Sequence, residues 1–134
     1  MIDILKTKRL KQAISNNPAK VLETIENEME LGICITNSKG RYVAVNKRYC
    51  EIYGYTSDEL VGNSFTIVVP EANHEKLQII HDNFIKNEFE IMRNWDVKRR
   101  DGSVIRIQAD AGFFKNIFDQ TAHKVTFVHY EEAG

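Results

Sequence analysis

The segment from residue 40 to residue 55 constrains the fold of this chain more than any other. A turn that ends at Gly40 leads into a short β-branched strand at residues 42–45. Asn46 then suits the start of a helix, because its short side chain accepts a hydrogen bond from a free N–H of the first turn. Gly54 suits the end of that helix, because glycine adopts left-handed dihedral angles without strain. The segment therefore predicts a strand, a cap and a short helix in close succession.

A second short helix and a hairpin are predicted on either side of this segment. Thr56 is followed three residues later by Glu59, which is the pattern of a capping box, and Gly62 ends the helix soon after. Upstream, residues 31–36 are rich in β-branched side chains, and a polar turn separates them from residues 41–45. This spacing predicts two antiparallel strands joined by that turn.

The longest predicted helix begins near Pro70 and ends near Asn87. Its apolar residues recur at steps of three, four and seven, so they share one face, and two histidines fall on or beside that face. The face consists of His74, Leu77, Ile80, His81, Phe84 and Ile85.

From Glu88 onwards the apolar period changes to two, which predicts strands. Asp101-Gly102 marks a hairpin turn between the first two of them, and a third strand is predicted over residues 123–130. One face of the first strand is assigned to Phe89, Ile91, Trp95 and Val97, and one face of the second to Ile105, Ile107, Ala109 and Ala111. Two strands, several helices and three strands indicate an α+β fold with an antiparallel sheet.

Three blocks of residues resemble a known family. They are Gly32-Ile33-x-Ile35-Thr36-Asn37-x-x-Gly40-Arg41-x-x-x-Val45-Asn46, Gly54-Tyr55-Thr56-x-x-Glu59-Leu60-x-Gly62 and Arg100-Asp101-Gly102-Ser103. In this order and spacing they resemble a PAS domain over roughly residues 29–131. The resemblance implies a five-stranded sheet of order 2-1-5-4-3 with helices on one face. Residues 1–28 are accordingly assigned to an N-terminal helical extension and residues 29–134 to the PAS domain.

The extension is predicted to contain two helices. Residues 1–16 are amphipathic, and Asn17-Pro18 is expected to end this helix and to cap the next one, with Asn17 as the cap. In PAS proteins that resemble this one, such helices often mediate dimers. A homodimer through these helices or through the sheet face is therefore expected, although the apolar stripe also suits packing on the chain's own domain.

Composition and missing motifs exclude several classes of function. A net charge of −1 provides no basic surface for nucleic acid, and no apolar run approaches the roughly twenty residues of a membrane helix. His74-Glu75 lacks the second histidine of a zinc protease motif, and the sequence contains no P-loop or nucleophile elbow. The well-separated Cys34 and Cys50 are expected to be free thiols. We therefore expect a cytoplasmic, non-catalytic chain without a metal site.

By resemblance, a ligand pocket is expected between the long helix and the sheet. Its predicted lining consists of His74, Leu77, His81, Phe84, Ile91, Trp95, Ile107 and Ala109. A dry, well-packed core is the alternative, because small and large residues also interdigitate without leaving a cavity.

No cofactor is assigned from the sequence. Haem-binding PAS domains take an axial histidine from this helix, so His74 and His81 are the haem candidates. The distance in sequence from the turn at Asp101-Gly102 favours His74, whereas the residues around His81 favour His81. Covalent flavin chemistry of the LOV kind needs a cysteine where this chain has Ser64. Noncovalent flavin binding would fall to Asn94, Trp95 and Gln108.

The resemblance implies a sensory or regulatory domain that binds a small ligand or a partner and passes a signal to an effector. The expected context is a histidine kinase of a two-component system or a similar signalling protein. The alternatives are a ligand-free dimerisation module and a haem-based gas or redox sensor through His74 or His81.

Overall fold

The computed structural model describes residues 3–88 and 91–131. The helices and strands are α1 (Ile4–Asn16), α2 (Val21–Glu26), β1 (Gly32–Asn37), β2 (Tyr42–Val45), α3 (Lys47–Tyr53), α4 (Ser57–Leu60), α5 (His74–Asn87), β3 (Ile91–Lys98), β4 (Val104–Phe114) and β5 (His123–His129). Phe89, which the sequence places on a strand face, lies outside the described residues, and so does the side chain of Ile91 at the start of β3.

The five strands form one antiparallel sheet of order β2-β1-β5-β4-β3, which confirms the predicted fold class. Strand β1 pairs with both β2 and β5, and β4 pairs with both β5 and β3. The β1–β5 pair therefore joins the N-terminal hairpin to the three C-terminal strands, and β5 is the middle strand of the sheet.

Successive strand residues point to opposite sides of the sheet, and apolar residues on both sides are buried, although the outer side is exposed along β3. On the first face, Cys34 and Ile107 pack with residues of α3, α4 and the segment before α5. On the second face, Ile33 and Phe127 pack with Ile14 of α1 and with apolar residues of α2. The N-terminal helices thus cover part of their own sheet and leave the first face to the later helices.

Two local predictions were wrong in detail. Pro70 does not start the α-helix: its ψ of 136° is extended, a 3₁₀ turn occupies Glu71–Asn73, and α5 begins at His74. Asn17 ends α1, but its side chain makes no capping hydrogen bond to the turn that follows.

Asn46 joins four parts of the chain through one buried side chain. Its Oδ1 accepts hydrogen bonds from the backbone N–H of Tyr49, at 2.9 Å, and of Ile33, at 2.8 Å. Its Nδ2 lies 3.0 to 3.2 Å from three carbonyl oxygens, those of Ile25, Glu28 and Leu31. The predicted helix cap is confirmed, and the same amide also fastens the end of α2 and the start of β1 to α3.

The caps of the next two helix ends also agree with the sequence. Gly54 ends α3 with a φ of 78°. In the capping box, the Thr56 hydroxyl accepts a hydrogen bond from the backbone N–H of Glu59, and the Glu59 carboxylate accepts one from the backbone N–H of Thr56. These local signals fix where α3 ends and α4 begins.

Gly40 has a backbone conformation and a neighbour that both disfavour a side chain. Its φ is 80°, and a Cβ atom would lie 2.9 Å from Cδ1 of Phe65. Gly62 has a similar φ of 90°, but nothing lies within 4 Å of its Cβ position. We expect Gly40→Ala to lower the free energy of unfolding by about 2–3 kcal/mol and Gly62→Ala by about 1 kcal/mol, measured by urea denaturation. If the two substitutions lower the free energy of unfolding equally, the close approach of the new Cβ atom to Phe65 does not destabilise the protein.

Candidate functional site

A cavity of about 80 Å³ lies between the first face of the sheet and the helices that cover it. Its floor is made by side chains from β1, β3, β4 and β5, and its roof by α3, α5 and the 3₁₀ turn at Phe65–Val68. The lining residues are Cys34, Thr36, Tyr42, Tyr49, Tyr53, Phe65, Val68, Val69, Leu77, Ile80, His81, Trp95, Asp96, Val97, Ile107, Ala109, Lys124, Thr126 and Val128.

Five of the eight residues that the sequence assigns to a pocket lie on the wall of this cavity. They are Leu77, His81, Trp95, Ile107 and Ala109. Two others do not line it: His74 turns back so that its Nε2 lies 2.6 Å from the carbonyl oxygen of Val69, and Phe84 packs beside Ala111. His74 occupies the first residue of α5, one turn before the part of the helix that faces the sheet.

Two important lining residues that the sequence analysis did not name come from the neighbouring strands β1 and β5. Thr36 of β1 and Lys124 of β5 are directly opposite each other in the sheet, and both line the cavity. Alternation along β5 was the available signal, because Lys124, Thr126 and Val128 share one face while Val125 and Phe127 occupy the other. Lys124 is the polar member of that inward set.

One end of the cavity is polar and poor in hydrogen-bond partners. The Nε2 atom of His81 and the Oγ1 atom of Thr36 are both buried, and neither has a hydrogen-bond partner within residues 3–88 and 91–131. Burial and then the positive charge of Lys124 lower the pKa of His81, so the neutral ring is favoured. Burial also lowers the pKa of Lys124 to about 8, which still leaves most of this amine charged at pH 7.

Lys124 has an aromatic neighbour in place of an acidic one. Its Nζ lies 4.9 Å from the centre of the Phe84 ring, a cation–π geometry. No carboxylate oxygen lies within salt-bridge distance of this Nζ among residues 3–88 and 91–131. After burial, the positive charge of Arg93 also lowers the pKa of Lys124, whereas the Cys34 thiol raises it only at high pH, where the thiol ionises.

Buried phenols and a thiol occupy a second part of the wall. The hydroxyl oxygens of Tyr42 and Tyr49 lie 2.6 Å apart, and the rings of Tyr49 and Tyr53 stack at 4.1 Å between centroids. Burial raises the pKa of all three phenols and raises the pKa of the Cys34 thiol to about 11. These groups are therefore neutral at pH 7 and contribute polar atoms without charge.

The cofactor candidates separate clearly in the structure. His81 has an unpartnered Nε2 on the cavity wall, whereas the Nε2 of His74 already lies against a backbone carbonyl, so only His81 of the two is placed to hold an iron atom there. The cavity falls well below the roughly 300–1,000 Å³ of pockets that take drug-sized ligands, so it would have to widen before it held a macrocycle.

The three residues named for noncovalent flavin binding do not all lie on one face of the sheet. Trp95 lines the cavity, but its strand neighbour Asn94 points to the opposite face of the sheet, as does Gln108, the partner of Asn94 in β4. Cys34 and Cys50 are separate free thiols, in β1 and α3. Within the described ranges, no group of three or more His, Cys, Asp and Glu side chains is arranged to share a metal ion.

The helices of the described part of the chain include none that is both long and apolar enough to cross a membrane.

Comparison with known proteins adds three kinds of similarity. A family model described as the PAS fold matches residues 20–117. The PAS domain of an HTR-like protein from Haloarcula marismortui superposes with a TM-score of 0.66 at 22% identity, over 95% of this chain and 98% of that one. A domain of a sensory box sensor histidine kinase/response regulator from Geobacter sulfurreducens superposes with a TM-score of 0.66 at 16% identity, over 96% of this chain and 97% of that one.

A curated relative matches over a shorter stretch. A probable serine/threonine-protein kinase of Dictyostelium discoideum is 32% identical over 65 residues, which make up 48% of this chain and 4% of the kinase. The chain thus aligns with a small fraction of that relative's length.

Proposed function

This chain belongs to the PAS family, and from that premise we propose that it is a sensory domain whose cavity binds a small ligand and whose state is passed to an effector. The cavity is the observation that carries the proposal, because it lies in an otherwise closely packed core and has two unpartnered polar atoms on its wall. Buried polar groups normally have hydrogen-bond partners, so unpartnered ones in a cavity favour a bound molecule that supplies them.

Strand β4 offers a route from the cavity to the N-terminal helices. Ala109 lines the cavity, and the next residue, Asp110, points to the opposite face of the sheet. There its Oδ1 accepts a hydrogen bond from Nζ of Lys11 in α1, at 3.0 Å, and both side chains are largely buried. A ligand that binds more tightly to a conformation in which β4 is displaced would therefore also change the contact between Asp110 and Lys11, and with it the position of α1.

A substitution that fills the cavity tests whether the space itself is used. We expect Ala109→Leu to remain folded and to bind small probes at least tenfold more weakly, because its added carbons occupy the cavity. Ethylene glycol, propionamide and propionate serve as probes, and binding is read from amide shifts in two-dimensional NMR spectra. Ala111→Val is the control: Ala111 is on the same strand face but packs on Phe84 outside the lining. Equal binding by Ala109→Leu and the unmodified chain would contradict the proposal.

The proposed effector is a signalling enzyme such as a histidine kinase, and catalysis is assigned to that effector. Its support is the similarity to a domain of a sensor histidine kinase/response regulator. The division of the chain into an extension at residues 1–28 and a PAS domain at residues 29–134, and its cytoplasmic location, stay predictions. An absorption spectrum of the freshly purified protein, followed by mass spectrometry of the molecules released on denaturation, tests for a retained cofactor.

A ligand-free dimerisation module is the second candidate, and it is supported by exposed apolar side chains on the N-terminal helices. Ile14 of α1 packs on the chain's own sheet, but Leu5 of α1 is 66% exposed and Leu22 of α2 is 49% exposed. These residues remain available to a second copy. Light scattering of the purified chain over a range of concentrations tests for pairing.

A further inference from the structure

We propose that the ligand of this cavity is a small organic anion, a short carboxylate, held by Lys124, His81 and Thr36. The inference rests on the proposed function, because it assigns a chemical class to the occupant of the same cavity. It depends on three side chains from three different elements, β5, α5 and β1, that converge on one end of the space.

The three groups are placed together by the fold. Thr36 and Lys124 are directly opposite each other in the β1–β5 pair, so their side chains lie side by side on the cavity face. His81 approaches them from α5: burial and then the charge of Lys124 lower the pKa of its ring, and the backbone of Asn37 and Ser38, directly after Thr36, raises it. The ring lies 5.3 Å from the ring of Phe65. It is also within 3.5 Å of the Cβ position of Gly40, at the end of the turn that follows β1.

Each of the three can donate a hydrogen bond to an oxygen atom. The ammonium of Lys124 has three N–H donors, the Thr36 hydroxyl has one, and the His81 ring has one at Nε2 when the proton is on that nitrogen. The Thr36 and His81 atoms are buried and unpartnered. A carboxylate is the compact ligand that accepts several such bonds on two adjacent oxygens, and bonds from an ammonium to a carboxylate are among the stronger ones in proteins.

The charges around the cavity favour an anion over a cation. Asp96 lines the cavity, but it is exposed and its Oδ1 accepts a hydrogen bond from Arg106 at 3.1 Å. Asp82 of α5 is exposed and accepts a bond from Gln78. Lys124 therefore presents a positive charge that the described carboxylates do not neutralise, and a bound anion would supply the missing partner.

The rest of the wall sets the size of the ligand. Leu77, Ile107 and Val128 line the cavity with apolar atoms, which suits a short hydrocarbon portion next to the carboxylate. A volume of about 80 Å³ has room for a molecule of a few non-hydrogen atoms. Short aliphatic, hydroxy and keto acids have this combination of charge and size.

Propionate and propionamide test the proposal, because they have nearly the same shape and differ in charge. We expect propionate to cause saturable NMR shifts at the amides of Thr36, His81 and Lys124, and propionamide to bind at least tenfold more weakly. Lys124→Met should abolish most of this preference, whereas the exposed Lys115→Met should leave it unchanged. Thr36→Val, which keeps the shape and removes the hydroxyl, should weaken propionate more than propionamide.

The outcomes separate this inference from the proposed function. Equal binding of propionate and propionamide, or an unchanged preference in Lys124→Met, overturns the anion assignment and leaves a cavity that senses neutral molecules. Binding of ethylene glycol, without binding of propionate, also overturns the anion assignment. If none of the three probes at millimolar concentration shifts any amide signal, in the unmodified chain or in Ala109→Leu, both the anion assignment and the proposed function are overturned.

Discussion

Replacing Lys124 by methionine is expected to stabilise the folded chain by about 2–3 kcal/mol at pH 7. Burial lowers the pKa of this amine from its ordinary 10.5 to about 8, so the folded state must hold a charge that it disfavours. Methionine keeps an unbranched apolar stem against Phe84 and removes the charge. Urea denaturation of both proteins in the absence of added anion measures the difference.

The pH dependence of that difference identifies its cause. The charge is disfavoured at all pH values below about 8, and the cost disappears as pH rises from about 8 to 10.5, because the folded state loses the Lys124 proton before the unfolded state does. The advantage of Lys124→Met should therefore be nearly constant between about pH 7 and 8 and shrink above that range. At lower pH it also contains a contribution from His81, because, after burial, the charge of Lys124 also lowers the pKa of that ring. The pKa of Cys34, raised to about 11, works in the opposite direction above pH 9. Because Lys124 and this thiol affect each other's pKa, the range from about pH 8 to 9 is the part of the comparison that reports on Lys124 alone. A constant advantage up to pH 10.5 would contradict the explanation.

A group that destabilises the fold in the absence of ligand suits a binding site. The desolvation cost of Lys124 is already present before an anion arrives, so an anion that pairs with it returns part of that cost as affinity. The same propionate that stabilises the unmodified chain should therefore leave the unfolding midpoint of Lys124→Met almost unchanged. Stability and binding are predicted to change in opposite directions at this one residue.

Local patterns were sufficient to predict several turns and helix ends of the fold, but not the order of its strands. The Asn46 cap, the capping box at Thr56 and Glu59, and the turn at Asp101-Gly102 each depend on residues close together in the chain, and each has the predicted position in the structure. Strand order came from family resemblance, since periodicity along single strands does not determine which strands are neighbours.

The candidate site could be predicted only in part, because it is made by residues far apart in the chain. Helical periodicity correctly directed His81 and Leu77 towards the sheet, but it treated His74 in the same way although that residue begins the helix and turns back to Val69. Lys124 and Thr36 come together only through the β1–β5 pairing. A lysine in a short strand is ordinarily exposed to solvent, so the residue type alone gives no reason to place Lys124 in a buried cavity.

Replacing Asn46 by alanine is expected to cause the largest loss of stability, about 3–5 kcal/mol. The side chain is 1% exposed, and its removal leaves two buried N–H groups and three buried carbonyl oxygens without their shared partner. Asn63→Ala is the matched control, because Asn63 is exposed and its Nδ2 donates a single bond to the carbonyl oxygen of Glu59. That substitution should cost less than about 1 kcal/mol in the same urea denaturation experiment.

Asn46→Asp separates the two halves of this network. An aspartate keeps the acceptor for the N–H groups of Ile33 and Tyr49, but at pH 7 it places a second oxygen against three carbonyl oxygens that previously received N–H bonds. The pKa of that carboxyl should rise in the folded state, because protonation restores one donor, so the folded state binds a proton more readily than the unfolded one. The stability gap between this variant and the unmodified chain should consequently narrow as pH falls from 7 towards about 4. A gap that stays constant or widens over this range would mean that the three carbonyls obtain little from the Asn46 amide, and that capping of α3 is its main contribution.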